Sequence, residues 1–199
     1  MITLKKIILK ENFNSKGSAR DLIRKIGLNS RGQVWVETVI YTLIGLAVIG
    51  ILLAVSKPKI EQMKDRIIIE QSIKSLNEIS SRIYDVQIAS GNKRVLDLKI
   101  SKGNFYINAS EGSNTIGWIM ESNYKYSEVG KEVNLGNMKV KTIEGGPYVV
   151  EMWMAYPVNL SNAGRDNYQS YEQSPTLYKL TIENNGKIGL YTNVDLNVI

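Results

Sequence analysis

Arg31-Gly32-Gln33-Val34-Trp35-Val36-Glu37, and the run from Thr38 to Ser56 behind it, decide how this chain is read. The run holds 19 residues and no charge; Leu, Ile, Val and Ala dominate, with Gly45 and Gly50 inside. About 18 such residues suffice to cross a bilayer as a helix. Its upstream edge is less ordinary. Glu37 sits directly before the run, and a basic segment ending in Gly32 precedes it. A carboxylate at the edge of a span is costly to bury without a partner, so it is a functional candidate.

Working outward, the charge is lopsided. The formal net charge is +6. Residues 1–32 hold eight Lys and Arg against Glu11 and Asp21, which is the whole excess, and the remainder is balanced. This asymmetry belongs to a single-pass protein whose N-terminus stays in the cytoplasm and whose C-terminal part is exported. It argues against nucleic-acid binding by the folded domain, which would need its own basic face. The chain has no His and no Cys. That removes imidazole acid–base chemistry, thiol nucleophiles, disulfides and the usual zinc sites, and no catalytic residues, cofactor or metal ligands are expected.

Pro58 follows the span between Lys57 and Lys59. Beyond it Ile60, Met63, Ile67, Ile73, Leu76, Ile79 or Ser80, Ile83 and Val86 recur mostly at steps of three and four, with charges and amides between them. This is the period of an amphipathic helix. It predicts a helix over 57–91, stopped near Ala89-Ser90-Gly91-Asn92 and bent at Pro58. From Lys93 the period changes to two. Val95–Ile100, Phe105–Ile107, Thr115–Met120, Met138–Ile143, Tyr148–Tyr156, Thr176–Ile182 and Ile188–Val194 read as strands. Turn signals separate most of them, including Lys102-Gly103-Asn104, Gly145-Gly146-Pro147 and Asn184-Asn185-Gly186. Short strands joined by tight turns predict a mostly antiparallel sheet, one face of which the amphipathic helix covers. Residues 157–175 are polar, amide-rich and aromatic without a period, and read as a long loop. The expected class is α+β: a basic leader over 1–32, a membrane helix over 33–56, an amphipathic helix over 57–91 and a β-rich exported domain over 92–199.

The residues from Arg31 to Val55 resemble the class III signal segment of archaeal type IV pilin-like proteins. The likeness rests on a basic leader, Gly32, Gln33 as the new N-terminus, Glu37 as the fifth mature residue, and the apolar helix behind it. Trp35 and the length of the leader depart from the usual pattern. The resemblance implies that a prepilin-type leader peptidase cuts between Gly32 and Gln33. It also implies that Glu37 meets the α-amino group of a neighbouring, identical or related subunit in a filament core. The implied product is a major, minor or pseudopilin-type subunit, first anchored in the cell membrane and then part of an extracellular filament.

Alternatives stay open. The run alone serves a plain anchor for a binding or adhesion module that never polymerises. Ala54-Val55-Ser56 also has the small-x-small form of an ordinary signal-peptidase site, which would release a protein starting at Lys57. Asn108-Ala109-Ser110 and Asn159-Leu160-Ser161 match the N-glycosylation acceptor pattern. Trp118 and Trp153 read as core residues of their strands, with an adhesion surface that includes the Tyr-rich loop as the second reading.

Overall fold

The computed structural model describes residues 30–199; the leader expected over 1–32 lies outside it except for its last three residues, which are helical. One helix, α1, runs from Ser30 to Val86 with Pro58 inside it. Ten strands follow: β1 (Lys93–Leu98), β2 (Asn104–Asn108), β3 (Thr115–Ser122), β4 (Glu132–Leu135), β5 (Met138–Ile143), β6 (Tyr148–Ala155), β7 (Asn159–Asn162), β8 (Tyr168–Glu172), β9 (Tyr178–Ile188) and β10 (Tyr191–Val198). The class is α+β, and α1 is long and apolar enough to cross a membrane. The chain divides into two compact units, Met1–Lys57 and Pro58–Ile199.

In the first unit every described side chain from Val34 to Lys57 is exposed, Trp35 at 71% and Leu53 at 65%. The uncharged run keeps its helix without any packing. Thr38 Oγ1 donates to Val34 O at 2.9 Å, and Thr42 Oγ1 to Thr38 O at 2.8 Å. Both hydroxyls are thus satisfied by the turn below them, the way such groups are accommodated in a helix that meets lipid.

The second unit is built on the later part of α1. Its buried positions are Asp65, Ile69, Ser72, Leu76, Ile79, Ser80, Ile83 and Val86, at the three-and-four spacing of one helical face. Fully burying a side chain such as Leu76 or Ile83 contributes about 1.5–3 kcal/mol. Ile60, Met63 and Ile67, expected at the start of this stripe, are instead at least half exposed. The buried stripe runs through Asp65, Ile69 and Ser72, about half a turn round the helix from them. The opposite face is laced by exposed pairs such as Arg66–Glu70 at 2.9 Å, which solvent screening leaves weak.

The helix ends at Val86, five residues before the expected stop, because a strand caps it. Asn184 in β9 donates its side-chain amide to Val86 O at 2.9 Å and Ala89 O at 3.1 Å. Gly91, at φ 81°, then turns the chain and donates its N–H to Asn184 O at 2.8 Å.

The strands form two sheets rather than the one expected, ordered β1-β9-β10-β7 and β4-β5-β6-β3-β2-β8. All pairings are antiparallel except β10 with β7. Leu180, Ile182, Val194 and Leu196 of the four-stranded sheet share one core with Phe105, Trp118, Val140 and Met152 of the six-stranded sheet and with the helix stripe. Trp118 stacks edge-on to Phe105 with ring centroids 5.8 Å apart, and its Nε1 donates to Lys102 O at 2.9 Å.

The long loop expected over 157–175 contains two strands. Chain from the four-stranded sheet crosses here into the six-stranded one: β7 pairs with β10 and β8 with β2. Between them Ala163 and Gly164 both have positive φ, 49° and 74°, and Asn162 and Arg165 exchange backbone hydrogen bonds. That is a tight primed turn, which needs two left-handed residues. The turn expected at Asn184-Asn185-Gly186 also lies inside a strand, since β9 runs to Ile188 and reverses at Gly189-Leu190.

Candidate functional site

Among the described residues two places carry features beyond packing. The first is the start of α1. Gly32 and Gln33, the expected cleavage pair, lie in its first turn. Glu37 follows on the exposed helix surface, and Tyr41, one turn further along, donates its hydroxyl to Glu37 Oε1 at 3.2 Å. Residues four apart share a helix face, so the carboxylate has a local donor that the sequence reading passed over. The hydroxyl is a neutral partner. It satisfies one lone pair and leaves the charge of Glu37 without an opposite charge among the described residues.

The second is the face of the six-stranded sheet turned away from the core. Alternation along each strand decides its membership. Lys139, Trp153, Gly117, Tyr106 and Ser170 are successive register partners across five strands. Lys141, Glu151, Ile119, Asn104 and Glu172 form the next row. Trp153 is therefore half-buried on the outer face, not in the core where it was expected with Trp118. Its neighbours Met152 and Met154 take the core positions, so parity turns Trp153 outward. Glu151, two residues before it on the same face, carried that signal.

Gly117 makes room here for Tyr106. A Cβ at Gly117 would sit 2.5 Å from Tyr106 Cζ and 2.7 Å from Met152 O, so the ring lies across the bare glycine backbone. The Tyr106 hydroxyl donates to Glu151 Oε1 at 3.2 Å. Burial, reinforced by the Glu151 charge, pushes the phenol well above its ordinary pKa, and it stays a donor at any physiological pH. The Tyr168 ring stacks on Tyr106 with centroids 5.6 Å apart and planes 29° apart. Trp153 and this tyrosine pair flank a groove of about 310 Å³ that Asn108, Thr115 and Glu151 also line.

The two glycosylation patterns lie at strand ends. Asn108 closes β2, and its Oδ1 accepts the Ser110 N–H at 3.2 Å. Asn159 opens β7, and the hydroxyl of Ser161, two residues on, donates to Asp195 Oδ1 at 2.6 Å. The sequon hydroxyl is thus occupied once β7 has joined β10.

A partly buried ion pair ties the helix to the loops before β2 and after β3. Asp65, 5% exposed, accepts from Lys102 Nζ at 2.5 Å, from Asn123 N at 2.7 Å and from Asn123 Nδ2 at 3.2 Å. Burial alone would raise this carboxyl, but the Lys102 ammonium and the Asn123 N–H groups outweigh it and hold the pKa below the ordinary value. Among the described residues no three Asp or Glu side chains gather as a metal site. Comparison with family models, curated proteins and solved structures yields no significant match to this chain.

Proposed function

We propose that the chain is a structural subunit of a type IV pilus-like surface filament of archaeal kind. On this reading its leader is removed between Gly32 and Gln33 by a prepilin-type peptidase. The observation that carries the reading is the first unit of the structure. A helix exposes every side chain from Val34 to Lys57, and a single carboxylate stands one residue before 19 uncharged positions.

The physical logic runs through desolvation. An apolar helix moving from lipid into a bundle of like helices stays in apolar surroundings in both places. Glu37 would be costly there with only the Tyr41 hydroxyl as donor. Cleavage at Gln33 creates a new α-ammonium four residues from Glu37. Within one helix these two groups start at neighbouring turns; between helices the ammonium of one subunit can meet the carboxylate of the next. Such a pair adds little net stability but penalises every misregistered arrangement that leaves one charge unpaired. It would therefore set axial register, while the apolar side chains supply the affinity.

The test is the mature N-terminus, followed by microscopy of cell-surface material. N-terminal sequencing that begins at Gln33, with filaments containing the protein, supports the reading. Retention of Met1 on an unpolymerised membrane protein would replace it with the anchored binding module, and a start at Lys57 would replace it with a secreted domain.

A further inference from the structure

We propose that the outer face of the six-stranded sheet binds a neutral saccharide in the groove between Trp153 and the Tyr106–Tyr168 pair. This site is independent of whether the protein polymerises. Three aromatic side chains converge on one solvent-facing groove, and the other lining groups are the Asn108 amide, the Ser113 and Thr115 hydroxyls, the Glu151 carboxylate and the Ile119 side chain. A sugar ring has that same division: an apolar face of C–H groups to lie on aromatic carbon, and a rim of hydroxyls that both donate and accept. The groove holds unused partners of both kinds. Among the described residues Trp153 Nε1 and the Asn108 amide nitrogen donate to no protein acceptor, and Glu151 takes its only hydrogen bond on Oε1, leaving Oε2 for a ligand hydroxyl.

The frame is built to hold this arrangement. Tyr106 is 8% exposed and fixed over Gly117, with its hydroxyl on Glu151 and its outer face under Tyr168. Tyr106, Thr115, Glu151 and Trp153 stand on β2, β3 and β6, which are paired on both sides, while Tyr168 stands on the edge strand β8. Side chains rooted on such strands are held more precisely than side chains on loops.

The surroundings select against other occupants. An extended peptide that adds to a sheet needs a free strand edge, and of the strands lining the groove only β8 has one, on its side away from β2. A single-stranded nucleic acid would also stack on aromatic rings, but it needs a basic track for its phosphates. The outer face offers Lys139 and Lys141 against Glu121, Glu151 and Glu172, and Glu151 stands in the groove itself. An acidic sugar meets the same carboxylate. A neutral, hydroxyl-rich ring is what remains.

The test is calorimetric titration of the detergent-solubilised full chain, made without N-glycosylation so that Asn108 is unmodified. The probes are cello-, malto-, chito- and mannohexaose, with an oligodeoxythymidylate alongside. The expected result is saturable binding of one or more hexasaccharides. Trp153→Ala and, separately, Tyr168→Ala should each weaken it about tenfold, the loss of one aromatic contact. Tyr168 is 53% exposed on an edge strand, so its variant keeps the fold, as near-UV circular dichroism will show. Absence of saturable binding to all four sugars at millimolar concentration overturns the proposal. So does undiminished binding by the Tyr168→Ala variant, or binding of the oligonucleotide in place of the sugars.

Discussion

The side-chain amide of Asn184 closes the end of α1 by donating to Val86 O at 2.9 Å, from a position 98 residues further along the chain. Helix ends leave carbonyls without partners, and a buried orphan carbonyl is destabilising. Because the same amide also serves Ala89 O, replacing it strips two acceptors at once. Asn184→Ala should lower the unfolding free energy by about 1–3 kcal/mol. Urea unfolding followed by near-UV circular dichroism reads this directly. An unchanged midpoint would show that water replaces the cap at no cost.

The Asp65–Lys102 pair makes stability depend on acid. The folded-state pKa of Asp65 lies below its unfolded value, so the carboxylate binds fewer protons in the folded state. Its stabilisation is fully present above the unfolded value of about 3.9 and is lost as pH falls through the lower folded value. Asp65→Asn should therefore be less stable at pH 7 and show a shallower fall in melting temperature below about pH 4. Parallel acid limbs for the two proteins would mean that other carboxylates govern that range.

Gly117 is required by a ring rather than by a turn. Gly117→Ala places a methyl against Tyr106 and against Met152 O, and the backbone oxygen cannot swing away. Overpacking of this kind costs about 1–3 kcal/mol. The ring displacement should also weaken saccharide binding beyond the stability loss, which calorimetry below the unfolding transition separates. Normal stability with a normal groove would mean that the strand relaxes around the methyl.

Ala163 occupies a left-handed position, at φ 49°, that suits Asn better than Ala. Its side chain is exposed, and its N–H still donates to Leu196 O after substitution. Ala163→Asn should raise stability by about 0.5–1 kcal/mol. A drop in melting temperature would contradict the primed-turn assignment.

Glu37→Ala should leave membrane insertion intact and abolish assembly, if the carboxylate pairs with a neighbouring subunit's amine. Membrane fractionation reports the first property and filament yield the second. Normal filaments from the variant would end the register role assigned to Glu37.

Much of the architecture was legible in the chain. Helical period two turns past Pro58, strand period after Lys93 and the uncharged run each rest on contacts between residues a few positions apart. What escaped was non-local. β7 and β8 lack apolar alternation and exist because β10 and β2 offer them partners. Ile60, Met63 and Ile67 keep the helical period, yet they lie on a face out of phase with the buried Asp65, Ile69 and Ser72, and only the packing shows which face is covered. The groove escaped for a related reason: Glu151 signals the outward parity of Trp153, but only the register across β6, β3, β2 and β8 brings Trp153 near Tyr106 and Tyr168.

By itself, then, the sequence determined where the chain is apolar enough for lipid, where it is helical and where it is extended, because backbone period and solvent partition are local properties. It also put Glu37 beside the run and the basic excess ahead of it. Only the tertiary structure decided that the strands divide into two sheets and that Asn184 ends the helix. The same holds for Tyr106, Tyr168, Trp153 and Glu151, which share one groove. Those outcomes depend on which strand edges meet across tens of residues, and hydrogen-bond pairing at that distance leaves no period in the chain to be read.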